Sequence, residues 1–342
     1  MNPPNQDARA FPHELDAAEQ AVWRRVRASQ RLSPSNGGMN LAFQALGSPC
    51  RVWWAEPPAK VTTTAEAVVR WVAQFEARYS RFIPTSLVNR INDAAGREWV
   101  QIDPELERML ALCQEMHFIT RGTFDPTALP LVRLWDWKAN PPKAPEDTAI
   151  DASRKLVGWR KVQRAPGRVF LPEPGMALDL GGMGKEYAVD QVTQLISEMG
   201  ATSGLVDFGA DVRVFGPPPL GKPAWHIGLE DAALPGQCWT GLAVNEQAVA
   251  TSGDYRRHFV ANGRRYGHIL DVRTGRPVDN GCRAVSVIAP SCSLAGTLST
   301  AAFVLGAQEG LRLLEATPQA EGCIMTDDVK FPSRRFHEFT TR

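Results

Sequence analysis

VFLPEPGMALDLGGMGKEYAVDQVTQLISEMG, residues 169–200, is where the fold class is decided. Its first part reads as a strand, Val169 to Leu180, which runs into the glycines of GGMG. A helix then fits Lys185 to Met199, because Ala188, Val189, Val192, Leu195, Ile196 and Met199 recur at helical spacing. The next stretch, GLVDFGADVRVFG (204–216), reads as a hairpin turning near Gly209. Hairpins interspersed with separate helices point to an α+β protein with antiparallel sheets, not a regular βαβ array.

Working outward, Thr63 to Tyr79 carries Ala65, Val68, Val69, Val72 and Phe75 on one helical face, with Thr63 or Thr64 as its cap. A second helix fits Pro104 to Thr120 with Leu106, Met109, Leu110, Cys113 and Phe118 as its core stripe. A β-rich run extends to about Asp271. The strand AVSVIAP (284–290) leads into helices over Leu294 to Leu305 and Ala307 to Ala316. NPPKAPED, between Ala139 and Ala149, predicts a surface loop, since proline removes donors and restricts its neighbours. Residues 1–40 hold one short helical stretch, Glu14 to Ser29, and are expected to form an extension to a domain of residues 41–342.

With 342 residues, 44% hydrophobic, the chain can bury a large core, and a net charge of +1 supplies no field for nucleic acid. No apolar run approaches the ~20 residues that span a bilayer. The opening MNPPNQDARAFPHELDAAEQ lacks a basic and an apolar leader region, so a cytoplasmic location is expected. Six scattered cysteines without a CxxC pair predict packing residues, not a zinc cluster or disulfide framework.

Four constellations can carry chemistry. DLGGMGK (179–185) combines glycines, a helix start and Lys185, which suits either phosphate binding or a plain tight turn. ATSGDYRRHF (250–259) with YGHILDVRTGRPVD (266–279) gathers His268, Asp271, Arg273 and Thr274 beside Gly275, as a ligand edge or as a polar hairpin. GTFDPTALPLVRLWDW (122–137) brings Asp125 and two tryptophans, to enclose a flat ligand or to pack a core. SLAGTLSTAAFVLG (293–306) sets Gly296 and Thr300 one turn apart on a helix.

Together with SRFIPTSLVNRIN (80–92) and GLVDFGADVRVFG, these blocks resemble, in order and over roughly residues 42–330, the FAD:protein FMN transferases of the ApbE type. The resemblance implies an α+β, ApbE-like (T-fold-like) architecture of antiparallel sheets with packed helices. It implies Mg²⁺-dependent transfer of FMN from FAD to a threonine of an acceptor flavoprotein, with release of AMP. It maps flavin or FAD contacts to Leu46, Phe82, Thr123, Phe124, Asp125, Asp179, Lys185, His268 and Ile269, catalytic duty to Lys185 and His268, and metal contacts to the Gly182 carbonyl and Thr300.

The match has departures. Phe82 stands where the family has tyrosine, which keeps stacking and loses a hydroxyl. Gly184 and Glu186 replace the usual alanine and glycine around Lys185, and Glu186 reads either as a substitute ligand or as a solvent-facing helix residue. Gly296 occupies the position of the metal-binding aspartate. Two alternatives therefore stand beside the transferase: an FAD-binding protein that has lost the chemistry, and an FAD pyrophosphatase that releases FMN and AMP to water.

Overall fold

A nine-stranded antiparallel sheet takes its strands in chain order. They are β1 (Arg31–Ser35), β2 (Gly38–Ala45), β3 (Ser48–Ala55), β4 (Ser203–Phe208), β5 (Asp211–Phe215), β6 (Ala248–Gly253), β7 (Cys282–Ala289), β8 (Glu321–Thr326) and β9 (Lys330–Pro332). The computed structural model describes residues 16–55, 60–136, 143–234, 236–255, 257–261 and 263–341. Glu14 and Leu15 of the expected first helix, Trp137 of the block 122–137 and residues 139–142 of the expected proline loop lie outside them.

Side chains alternate across the sheet with the two-residue period of a strand. Val52, Trp54, Val206, Phe208, Ala250, Val285 and Val287 bury themselves on one face, under helices α1 (Ala17–Ser29), α2 (Val61–Tyr79), α3 (Pro104–Ile119), α4 (Gly184–Glu198) and α5 (Cys292–Ala316). Trp53, Val212, Val214, Val249 and Ile288 face the other way, onto Trp225, Leu229 and Leu242 of a small sheet built from Trp225–Glu230, Cys238–Val244 and Thr340–Thr341. The α+β expectation is met, with the long connections between neighbouring strands supplying every helix of this layer except α1, which precedes β1.

α4 and α5 lie side by side because the Asp190 carboxylate caps α5. It accepts from the backbone N–H groups of Cys292 and Ser293 at 2.8 and 2.9 Å and from Ser293 Oγ at 2.7 Å. Arg213 of β5 binds the same carboxylate at 2.6 Å. The helix-start donors, which have no partner within their own helix, are thereby satisfied by a neighbouring helix. α5 also changes course at Gly306 (φ 83°), where the sequence divides it into two helices.

Several expectations need correction. Only Arg168–Phe170 of the region around Val169 to Leu180 is a strand. Pro172, Pro174 and Gly175 (φ 89°) break it, and the Asn92 amide takes over, accepting from Leu178 N and donating to Leu178 O. α2 starts at Lys60 without a side-chain cap, and Thr64 is buried inside the helix instead. Phe118 is 80% exposed; Met116 and His117 fill the core side of α3 in its place. Within residues 16–40, Val22 and Val26 pack into the same core cluster and β1 pairs with β2. Among the described residues no helix is long and apolar enough to cross a membrane.

Replacing Asp190 by alanine removes an acceptor shared by two buried backbone donors and strands the Arg213 charge. We expect a loss of about 2–4 kcal/mol in denaturant-monitored unfolding; a loss below ~1 kcal/mol would mean that water replaces this contact without cost.

Candidate functional site

Lys185 sits in the first turn of α4, where its ammonium is ion-paired with Asp211 at the start of β5 and donates to the Phe208 carbonyl at 3.2 Å. Glu186 Oε1 lies 3.7 Å from the same ammonium. The β4–β5 turn brings Asp211 there through Gly209 (φ 64°) and Ala210 (φ 74°). A Cβ on Gly209 would come within 2.9 Å of the Ser48 side chain, so this turn and the β2–β3 turn touch. Leu46, in that second turn (φ 53°), is fixed by its N–H donating to Glu76 Oε2 at 3.0 Å. Pairing of β3 with β4 thus sets the β2–β3 turn, which carries Leu46, against the β4–β5 turn that adjoins Lys185.

A second group adjoins the loop that starts α4. The Phe124 ring lies against Gly182, 3.4 Å from where a Cβ would stand. Asp179 accepts from Gly181 N at 2.8 Å and binds Arg81 Nε at 2.9 Å. Arg81 in turn lies over the Phe82 ring, 4.1 Å from its centre. Phe82 is 72% exposed, a large apolar ring presented to solvent beside a glycine turn. Thr123 is buried. Asp125 is occupied internally: Thr127 N (2.8 Å) and Thr127 Oγ1 (2.5 Å) bind one oxygen and Trp159 N (2.9 Å) the other. That carboxylate shapes the block that carries Phe124.

Opposite α4, Gly296 faces Glu186. A Cβ on Gly296 would stand 2.6 Å from Glu186 Cγ and 3.1 Å from its Cδ, so the glycine makes room for this carboxylate. Glu186 is not solvent-facing: its side chain is 12% exposed and its Oε2 is buried with no hydrogen-bond partner among the described residues. One turn along α5, Thr300 Oγ1 contacts Ser252 Oγ at 2.8 Å, and Ser252 also meets Ser299 Oγ at 2.8 Å. Among the described residues no three His, Cys, Asp or Glu side chains gather as a metal cluster. An orphaned carboxylate oxygen, packed on a helix that carries a hydroxyl one turn further on, suits a hard cation that takes neutral oxygens for its remaining ligands.

His268 follows the ribbon formed by His258–Ala261 and Arg264–Gly267. Its Nδ1 lies 3.2 Å from the Arg257 carbonyl. A carbonyl can only accept, so Nδ1 carries the proton and Nε2 presents a lone pair. Burial and the neighbouring Arg257 charge hold its pKa below the ordinary histidine value, against the pull of Asp254. Asp254 directly follows β6, two residues after Ser252, so one strand end serves both the hydroxyl group and the His268 region. Ile269 is buried, and its carbonyl accepts from Val278 N at 3.0 Å. Arg81, Asp211 and Ser252 were not singled out from sequence, although each lies inside a quoted block: Arg81 beside Phe82, Asp211 after the hairpin glycine, Ser252 within ATSGDY.

The ApbE family model matches residues 46–324. A FAD:protein FMN transferase of Haemophilus influenzae is 26% identical over 313 residues, covering 88% of this chain and 90% of that protein. One from Klebsiella pneumoniae is 31% identical over 275 residues, covering 78% and 84%. Among solved structures, the ApbE protein of Thermotoga maritima superposes with a TM-score of 0.82 at 31% identity, covering 89% of this chain and all of that one. The flavin transferase ApbE of Vibrio cholerae gives 0.79 at 25%, covering 91% and 99%.

A histidine whose folded pKa is depressed favours the folded state when neutral. Its stabilising contribution is complete above the unfolded value and is lost as pH falls through and below ~6.5. The imidazole resonances of His268 should therefore titrate with a midpoint below 6.5 in an NMR pH series; a midpoint at or above it would show that the ring is solvated.

Proposed function

The chain belongs to the ApbE family, and from that premise we propose that it is an FAD:protein FMN transferase, moving FMN from FAD to the threonine hydroxyl of an acceptor protein. The observation that carries this reading is that the matched residues 46–324 take in every group of the site, from Leu46 to Thr300. Phe82 offers a stacking face for the flavin ring, and Phe124 against Gly182 floors the adjoining turn. Gly181 and Gly182 let the dinucleotide approach the backbone, and Lys185, at the helix start, meets its phosphates.

The acceptor oxygen attacks the FMN phosphorus, the bond from that phosphorus to the oxygen shared with AMP breaks, and AMP leaves with the electron pair. His268 Nε2 would take the hydroxyl proton, a role supported by its free lone pair and by a depressed pKa that favours the neutral ring. Mg²⁺, when bound, supplies neutralisation of the charge that builds on the pyrophosphate. Thr300 and the Gly182 carbonyl would hold it, and Glu186 packs against Gly296 one turn from Thr300.

Gly296 favours one other reading, a flavin carrier without chemistry. It is marked by FAD binding that does not respond to Mg²⁺. A pyrophosphatase is marked by FMN and AMP appearing without an acceptor.

Incubation with FAD, Mg²⁺ and an acceptor carrying a candidate threonine should add one FMN to the acceptor by mass spectrometry. Withdrawal of Mg²⁺ should abolish the gain, and no gain under any condition defeats the reading. Lys185→Ala should lower the transfer rate about 100-fold or more. Phe82→Ala should weaken FAD binding roughly tenfold, read by fluorescence quenching.

A further inference from the structure

Glu186 presents an unusual local problem. It is an acid in the first turn of α4, 12% exposed, with one carboxylate oxygen buried and unsatisfied among the described residues. A buried carboxylate oxygen without a partner is costly, and such groups persist where something outside the chain satisfies them. The neighbouring Lys185 does not fill that role, because its ammonium is claimed by Asp211 and the Phe208 carbonyl and stands 3.7 Å from the other oxygen, Oε1.

Two oxygen donors belong to the elements that flank this carboxylate. Glu186 packs directly over Gly296, and Thr300 is on the same face of α5 one turn further on. The Thr300 hydroxyl, if it donates to Ser252 Oγ, keeps lone pairs for another partner. The Gly182 carbonyl, four residues before Glu186, accepts no backbone hydrogen bond among the described residues. One carboxylate, one hydroxyl and one carbonyl form the donor set that a small hard divalent cation selects.

We propose that Glu186 is the acidic ligand of a divalent-cation site completed by Thr300 Oγ1 and the Gly182 carbonyl, and that residue 296 is glycine because this carboxylate occupies its side-chain space. The acid of the site is carried by α4 instead of α5. A side chain at 296 would begin 2.6 Å from Glu186 Cγ, so it competes with Glu186 in its present position for one space. Asp190 enforces this, since its capping of residues 292 and 293 sets α4 against α5 so that Glu186, one turn before it, meets Gly296, one turn into α5. The inference rests on the reading that FAD phosphates are handled here, and it assigns the ligand that reading leaves open.

The test uses Mn²⁺ as a probe, followed by the loss of its free-ion EPR signal on titration into full-length protein with FAD. Glu186→Gln, which keeps the shape and removes the charge, should weaken Mn²⁺ binding about tenfold or more, with folding checked by its melting temperature. The double variant Glu186→Gly with Gly296→Asp returns the acid from the opposite helix and should recover binding to within about threefold of the unaltered protein.

Unchanged Mn²⁺ binding in Glu186→Gln overturns the assignment, as does absence of binding in the unaltered protein. A folded double variant, checked by its melting temperature, that fails to recover Mn²⁺ overturns the shared position. Acceptor mass spectrometry separates this from the functional reading. FMN transfer together with Mn²⁺ binding indifferent to residue 186 sinks the assignment alone; Mn²⁺ binding that depends on Glu186 without transfer sinks the transferase alone.

Discussion

The carboxylate of Asp190 is the contact on which the site depends. It is a helix cap supplied by a different helix, and Arg213 of β5 holds it from the sheet side. An ordinary cap fixes only where a helix begins. This one fixes the height and rotation of α5 against α4, because it binds two consecutive amides and a hydroxyl at once. Lys185 and Glu186 lie upstream on α4 and Gly296 and Thr300 downstream on α5, so their mutual placement follows from that register.

The sheet does the rest by simple order. Each connection between neighbouring strands hangs from a pair already hydrogen-bonded, and different connections lend different chemistry to the same region. Residues 56–202, between β3 and β4, bring Phe82, Phe124 and α4. The β4–β5 turn brings Asp211, the β6–β7 connection brings His268, and the β7–β8 connection brings α5. The pairing of Lys185 with Asp211 shows why this matters: a positive charge near the start of a helix is electrostatically unfavourable there, and an acid from a separate connection steadies it.

Much of this was legible in the sequence where local rules act alone. Helical spacing placed α2, α3, α4 and both halves of α5, and the Gly209 hairpin was visible from its glycine between alternating apolar residues. What was not legible depended on distant partners. The segment from Leu171 to Leu180 has strand-like composition, yet its backbone is satisfied by the side chain of Asn92, far away in sequence. Phe118 fits the apolar stripe of α3 but points outward, and His117 turns in to meet the Phe124 carbonyl. Family resemblance gathered the candidate residues, but only packing revealed that Glu186 fills the space opened by Gly296, since nothing in the spacing of residues 186 and 296 announces that they meet.

That overlap has a consequence for exchanging residues between chains. A side chain added at 296 starts within the space that the Glu186 side chain fills, so an acid brought to this position requires Glu186 to turn away or to be removed. An aspartate grafted alone would overfill the gap, and a glycine at 186 alone would leave it bare, so the two positions exchange as a pair.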